Sequence, residues 1–196
     1  DMWFPEVTSH LRKLEAEILI SPNGSPFEME KTHVRLDHAK KRVNESGLPL
    51  LYVNQVGGQD ELVFDGASFI MDHTGKVLTQ MPSHQEYITT SIWEQGVDRV
   101  WHCKSTETSH DLFSGSEAIY QTLMLGLRDY VEKNGFPGVL LGMSGGIDSA
   151  LSAAIAVDAL GPERVRCYMM PSAYTSDESI EDAAAFEGAD ADAALK

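Results

Sequence analysis

Eight consecutive residues, Gly142-Met143-Ser144-Gly145-Gly146-Ile147-Asp148-Ser149, concentrate groups suited to one kind of chemistry. Gly145 and Gly146 permit backbone conformations, and a closeness of approach, that a Cβ forbids. Ser144 and Ser149 add hydroxyl donors, and Asp148 is a carboxylate able to hold a divalent cation. Such a set suits phosphate. It departs from the common nucleoside-triphosphate loop, which needs G-x-x-x-x-G-K-[ST] with a lysine reaching the terminal phosphates. Here Ile147 and Asp148 follow the last glycine and no lysine is present. An acid in that place suits a loop that grips a departing pyrophosphate while the α-phosphate is attacked. The plainer reading is a tight strand-to-helix turn with capping serines.

The flanking elements favour phosphate. Val139-Leu140-Leu141 is an apolar run that reads as a strand, and Ala150 to Leu160 reads as an amphipathic helix. A helix N-terminus presents N–H groups without intrahelical acceptors and a partial positive charge. Val165 to Met170 reads as a second strand, followed by a helix from about Asp177, so strands and helices alternate as in a parallel α/β sheet. Ligands of such sheets sit beyond the strand C-termini. A helix from about Leu112, with Ile119, Leu123, Leu127 and Tyr130/Val131 on one stripe, precedes this unit.

The first half reads differently. Residues 7–17 have a helical period with Val7, Leu11, Leu14 and Ile18 on one stripe, and Ile18-Leu19-Ile20 begins a strand stopped by a loop at 21–26. Residues 31–46 form a charged helix, punctuated by Gly47 and Pro49. Residues 50–55 read as a strand buried on both faces, 57–61 as a polar loop, and 67–71, 76–80 and 87–93 as strands, with a hairpin turn at 72–75. From Glu94 to Ser109 the periodicity fades, as in a linker. His33 and His38 do not share a helix face and read as solvated.

Composition narrows the class. The chain is 42% hydrophobic and 23% charged, enough for one or two cores. A net charge of −15 argues against nucleic acid as a partner, since phosphate neutralisation needs a basic face. A nucleotide substrate remains compatible, because backbone amides and a metal ion bind phosphate locally. Two cysteines, Cys103 and Cys167, form no metal-ligand spacing or disulfide framework, so a cytoplasmic setting is expected. No run reaches the roughly 18–20 apolar residues of a membrane span, so no membrane partner is expected.

Ser144-Gly145-Gly146-Ile147-Asp148-Ser149 resembles the signature of the ATP-pyrophosphatase, or PP-loop, enzymes, which activate an oxygen by adenylylation. Further stretches resemble glutamine-dependent NAD⁺ synthetases, in which a nitrilase-type amidase domain precedes a PP-loop synthetase domain. They are Asp1 to Glu6, Ser21 to Pro26, Tyr52 to Gly66, Gly126 to Val131, Asn134 to Phe136, Leu140 to Leu151, Met170 to Ser172 and Tyr174 to Ser176. The order of both sets in one chain narrows the superfamily to this family.

The resemblance implies an α/β fold: the back part of a nitrilase-like α-β-β-α sandwich (1–98), a linker (99–111), and the start of a doubly wound parallel-sheet domain of the adenine nucleotide alpha hydrolase-like, PP-loop type (112–196). It implies ATP-dependent amidation of deamido-NAD through an adenylylated intermediate, with ammonia from glutamine hydrolysis. Gly142, Met143, Ser144, Gly145, Gly146, Ile147, Asp148 and Ser149 are then the ATP and pyrophosphate site, with Asp148 on Mg²⁺ and Ile147 packed under the loop. Met169 and Met170 flank adenine, or are plain sheet core. Ser25 and Lys31 hold glutamine, or belong to a polar loop and a solvated helix face. Asp60, Glu61 and Asp65 match the family without a physical role. At Ala173 a larger, basic residue is expected.

Implied partners are deamido-NAD, ATP and glutamine, in a homo-oligomeric parent. Asp1 fits a Cys-Glu-Asp-x-Trp-x-Pro-Glu pattern whose nucleophilic cysteine falls upstream, together with the family's glutamate and lysine, so an internal piece of a longer enzyme, inactive alone, is expected. Competing readings are another PP-loop ligase, such as a GMP, asparagine or argininosuccinate synthetase, and a non-catalytic partial nucleotide-binding fragment.

Overall fold

The computed structural model describes residues 2–106 and 109–169. Met170, Ala173, the helix expected from Asp177 and the tail lie outside the described residues. The fold is mixed α/β, and the chain divides into two compact units, Asp1–Gly57 with Leu62–Thr122, and Gly58–Glu61 with Leu123–Lys196.

In the first unit, α1 (Pro5–Lys13) starts on Pro5, whose fixed φ and missing N–H suit a first helical position. Strand β1 (Leu19–Asn23) is followed by α2 (Lys31–Ser46) and β2 (Leu50–Asn54). Then come β3 (Val56–Gln59), β4 (Leu62–Asp65), β5 (Phe69–Met71) and β6 (Val77–Gln80). A four-stranded sheet has the order β1-β2-β5-β6, with β1 and β2 parallel and the later pairs antiparallel. Its core joins Leu19, Leu50, Tyr52, Phe69 and Met71 to Ala39 and Val43 of α2. Tyr52 stacks on Phe69, with centroids 4.8 Å apart and planes 9° from parallel.

Several elements differ from the sequence reading. β1 runs through Ser21-Pro22-Asn23, expected as loop, because it pairs in register with Tyr52-Val53-Asn54; as an edge strand it tolerates Pro22. β2 is not buried on both faces: Leu50 and Tyr52 face α2, while Val53 is 49% exposed on the opposite face. Residues 57–61 are not a plain loop but the end of β3 and a turn into β4. The stripe Val7, Leu11 and Leu14 is exposed, and Thr8 is the buried residue of α1, which stops at Lys13. Residues 87–91 are irregular. The strands lie later, β7 (Ile92–Gln95) and β8 (Trp101–Ser105), and their antiparallel pairing occupies part of the expected linker.

In α3 (Gly115–Lys133), the buried positions are Ala118, Leu125 and Val131, whereas Ile119 and Leu123 of the expected stripe are exposed. The second unit continues with β9 (Val139–Met143), α4 (Ile147–Leu160) and β10 (Val165–Met169). β9 and β10 pair in parallel, from Val165 against Val139 to Met169 against Met143, with α4 as the crossover. Val131, Ala156, Ala159, Leu160 and Val165 form the core of this unit. The strand, loop, helix and strand read from the sequence are therefore present, although α4 begins at Ile147 rather than Ala150.

Candidate functional site

The second unit presents the candidate phosphate-binding residues at the C-terminal end of a parallel strand. Gly142 and Met143 close β9, Ser144 to Gly146 turn the chain, and Ile147, Asp148 and Ser149 form the first turn of α4. The turn depends on Gly145, whose φ of 78° is costly for any residue with a Cβ. Gly146 is the N-cap and supplies no side-chain cap, so the N-terminal N–H groups of α4 are not served by one.

The loop's own hydroxyls hold it together. Ser149 Oγ donates to Gly146 O at 2.8 Å and accepts from Ser144 N at 3.3 Å. Ser144 Oγ lies 3.2 Å from Ser149 Oγ and accepts from Gly146 N at 3.3 Å. All but one of these are long, exposed and therefore weak bonds, which a phosphate oxygen can replace at little cost. Ser144, Gly146 and Asp148 are exposed, so the surface is accessible. Ile147 is 80% exposed and does not pack under the loop: as the first residue of α4 it points away from the core that Ala153 and Ala156 enter. Met143, at 4% exposure, provides that support with Ala153, and Met169 packs against the same cluster at the end of β10.

Among the described residues, no group of three or more His, Cys, Asp or Glu side chains is placed to hold a metal. The donor set present is a single exposed carboxylate, Asp148, beside two hydroxyls. That fits Mg²⁺, which is bound through one or two carboxylates plus substrate phosphates and keeps several waters.

In the first unit the candidate residue Ser25 stands in a buried polar network. Asn54 clasps its main chain: Ser25 N donates to Asn54 Oδ1 at 2.9 Å, and Asn54 Nδ2 donates to Ser25 O at 3.0 Å. Arg35, 1% exposed, donates from Nε to Ser25 Oγ at 3.1 Å and from Nη2 to Ser25 O at 2.7 Å and Pro26 O at 3.0 Å. Its Nη1 donates to Asp65 Oδ2 at 2.9 Å, and Nη2 stands 2.9 Å from Asp65 Oδ1. Asp65 is 3% exposed. Burial also pushes the Tyr52 hydroxyl pKa up, with Arg35 and the nearby Ser25 hydroxyl opposing. Lys31 opens α2 and pairs with Glu28. It lies one turn before Arg35, on the same helix face.

Sequence reasoning missed Arg35, Asn54 and the partner of Asp65. The signal was present: Arg35 shares helical spacing with Ala39 and Val43, the apolar residues that α2 buries in the core. A basic residue in that row must be buried with a counter-ion. The histidines also divide. His33 is exposed, and His38 is half-buried, packing on Trp3 with ring centroids 4.6 Å apart. Burial, then Lys41 and Arg42, lower its pKa against Asp37.

With this geometry in place, comparison with known proteins places the chain. Residues 1–100 match the carbon-nitrogen hydrolase family model, and residues 119–190 match the NAD synthase model. The glutamine-dependent NAD(+) synthetase of Rhodobacter capsulatus is 46% identical over 186 residues, which are 94% of this chain and 33% of the relative. That of Acinetobacter baylyi is 43% identical over 93% of this chain and 33% of the relative. A solved structure of the glutamine-dependent NAD+ synthetase of Acinetobacter baumannii, in complex with ADP, superposes with a TM-score of 0.82 at 43% identity, covering 94% of this chain and 34% of that one. The chain thus spans about a third of the length of the relatives it matches. It belongs to the carbon-nitrogen hydrolase family through its first 100 residues and continues into an NAD synthase segment, an order it shares with its homologues, the glutamine-dependent NAD⁺ synthetases.

Proposed function

We propose that this chain is part of an enzyme that amidates deamido-NAD to NAD⁺ with ATP, taking nitrogen from glutamine. One observation carries the reading. An exposed Ser-Gly-Gly turn ends a parallel strand and opens a helix, in a chain whose other half belongs to a family of carbon–nitrogen hydrolases. The nicotinate carboxylate is a poor electrophile with no leaving group. Its oxygen attacks the α-phosphate of ATP, the bond from that phosphorus to the bridging oxygen breaks, and pyrophosphate departs. Ammonia then attacks the acyl carbon and AMP leaves.

In this reading the N–H groups at the start of α4, with Ser144 and Ser149, hold the pyrophosphate as negative charge develops on it. Asp148 holds Mg²⁺, which supplies charge neutralisation when bound. Met169, at the end of β10, flanks the adenine. In the other unit Ser25 and Lys31 hold glutamine; the shared helix face of Lys31 and Arg35, and the contact of Arg35 with Ser25, support that pairing. We place the boundary between the two functional regions at 99–111, and the reaction in the cytoplasm of a homo-oligomeric protein.

The test is isotopic. The full-length gene product is incubated with deamido-NAD, ATP, Mg²⁺ and glutamine labelled with ¹⁵N in its side-chain amide. Mass spectrometry should find the label in the carboxamide of NAD⁺. Deamido-NAD recovered intact, with no label incorporated, contradicts the reading.

A further inference from the structure

The buried network assigns a second residue to the amide-donor side. We propose that Arg35, with Asp65 as its counter-ion, is the positioning residue that sets the rotamer and hydrogen-bonding polarity of Ser25. The proposal rests on the reading that Ser25 contacts glutamine, and it names what holds that contact in place.

The division of labour around Ser25 is visible in the bonds. The main chain of residue 25 is already fixed. Asn54 takes both its N–H and its C=O, and Pro26 restricts the residue before it to extended conformations. Arg35 adds what neither of these can do, because its Nε reaches the side-chain oxygen. A guanidinium only donates, so Ser25 Oγ is the acceptor in that bond and its own O–H remains to be given elsewhere. The serine is thereby left as a donor beside the Tyr52 hydroxyl, and an acceptor oxygen of a ligand would take that O–H over from Tyr52.

Holding Arg35 in this pose takes a buried anion, since an unpaired guanidinium at 1% exposure would be strongly unfavourable. Asp65 is that anion: Nη1 donates to its Oδ2, and Nη2 stands within ion-pair distance of its Oδ1. The fork also explains the residue type. One side chain meets Ser25 Oγ, Ser25 O, Pro26 O and Asp65 at once, which a single ammonium cannot do.

The experiment uses the full-length gene product and three variants, Arg35→Lys, Asp65→Asn and Ser25→Ala, with steady-state kinetics on glutamine and, separately, on ammonium salts. For Arg35→Lys, and for Asp65→Asn as the milder change, KM for glutamine should rise roughly tenfold or more, the equivalent of one lost hydrogen bond to substrate. Turnover driven by ammonia should stay within about twofold of the parent, which also certifies folding.

The double variant Ser25→Ala/Arg35→Lys should be no worse in glutamine KM than the poorer single variant, because Arg35 acts through Ser25. An unchanged glutamine KM in both Arg35→Lys and Asp65→Asn, or losses that simply multiply in the double variant, overturns the proposal while leaving the function intact. A parent that uses ammonia but not glutamine, or neither, removes the reading on which the proposal stands, and the proposal with it.

Discussion

The strand that leads into the Ser144–Gly146 turn begins against another part of the backbone: a Cβ at Gly138 would fall 2.9 Å from the carbonyl carbon of Arg164, and closer still to its oxygen. Arg164 precedes β10, and its guanidinium returns to the same turn, donating to Pro137 O and Phe136 O at 3.1 Å each. The starts of the two parallel strands are therefore locked by backbone contact. Gly138→Ala should cost about 2 kcal/mol or more, since neither main chain can yield cheaply. Gly47→Ala makes the informative contrast. Gly47 caps α2 at φ 68° with nothing within 4 Å of its Cβ position, so only the left-handed backbone is penalised, by about 1 kcal/mol. Urea melts of the two variants check the order.

The Arg35–Asp65 pair should behave as a buried ion pair in stability measurements. Asp65→Ala leaves a guanidinium uncompensated in the interior and should lower stability by about 3–5 kcal/mol. Asp72→Ala, at an exposed turn where Oδ1 accepts from Thr74 and Lys76, should cost about 1 kcal/mol. Chemical denaturation followed by circular dichroism separates these outcomes.

Stability should fall on mild acidification. His84 is 7% exposed, its Nε2 lies 2.8 Å from Thr122 Oγ1, and its ring lies near Phe27 and Phe113. Burial lowers its pKa, with Asp65 opposing, and His38 is lowered as well. Above the ordinary value of 6.5 these rings are neutral in both states and add no pH dependence. Below it the unfolded chain takes up protons that the fold resists, so stability is lost as the pH falls from 6.5 toward the lowered values. Burial raises the pKa of Asp72, but hydrogen bonds from Thr74 and Lys76 outweigh it and lower the pKa overall, so its contribution is lost only below the ordinary value of 3.8. The urea midpoint measured from about pH 7.5 to about pH 5 should decline, and His84→Phe should flatten the curve.

Much of this was readable in the residues. The Val139–Ser149 region announced strand, turn and helix, because glycine and serine punctuation between an apolar run and an alanine-rich run has few other solutions. Helix α2 was bounded at 31–46 by Gly47. What escaped depended on partners distant in sequence. Pro22 looked like a loop because its strand pairing comes from residue 53. Arg35 passed as one charge among many on α2 because its anion stands thirty positions away, at Asp65. Ile147 looked like packing because its apolarity said nothing of the direction in which the first turn of α4 faces.

Within the loop, Asp148→Asn should reduce ATP-dependent amide formation by roughly a hundredfold to a thousandfold, the scale of losing one electrostatic contact at a reacting centre. Excess Mg²⁺ should recover part of the loss if the carboxylate holds the ion. Ser149→Ala removes a hydroxyl that meets the departing pyrophosphate, together with the donor to Gly146 O and the acceptor for Ser144 N, so it should lower kcat more than it raises KM for ATP.

The position at which ATP is cut tests the account most directly. With deamido-NAD and a nitrogen source, phosphorus NMR of the full-length gene product's reaction should show one AMP and one pyrophosphate for each amide formed, and Gly145→Val, which the left-handed turn at that residue does not accommodate, should abolish both together. ADP and inorganic phosphate as the products would contradict a loop built to hold pyrophosphate.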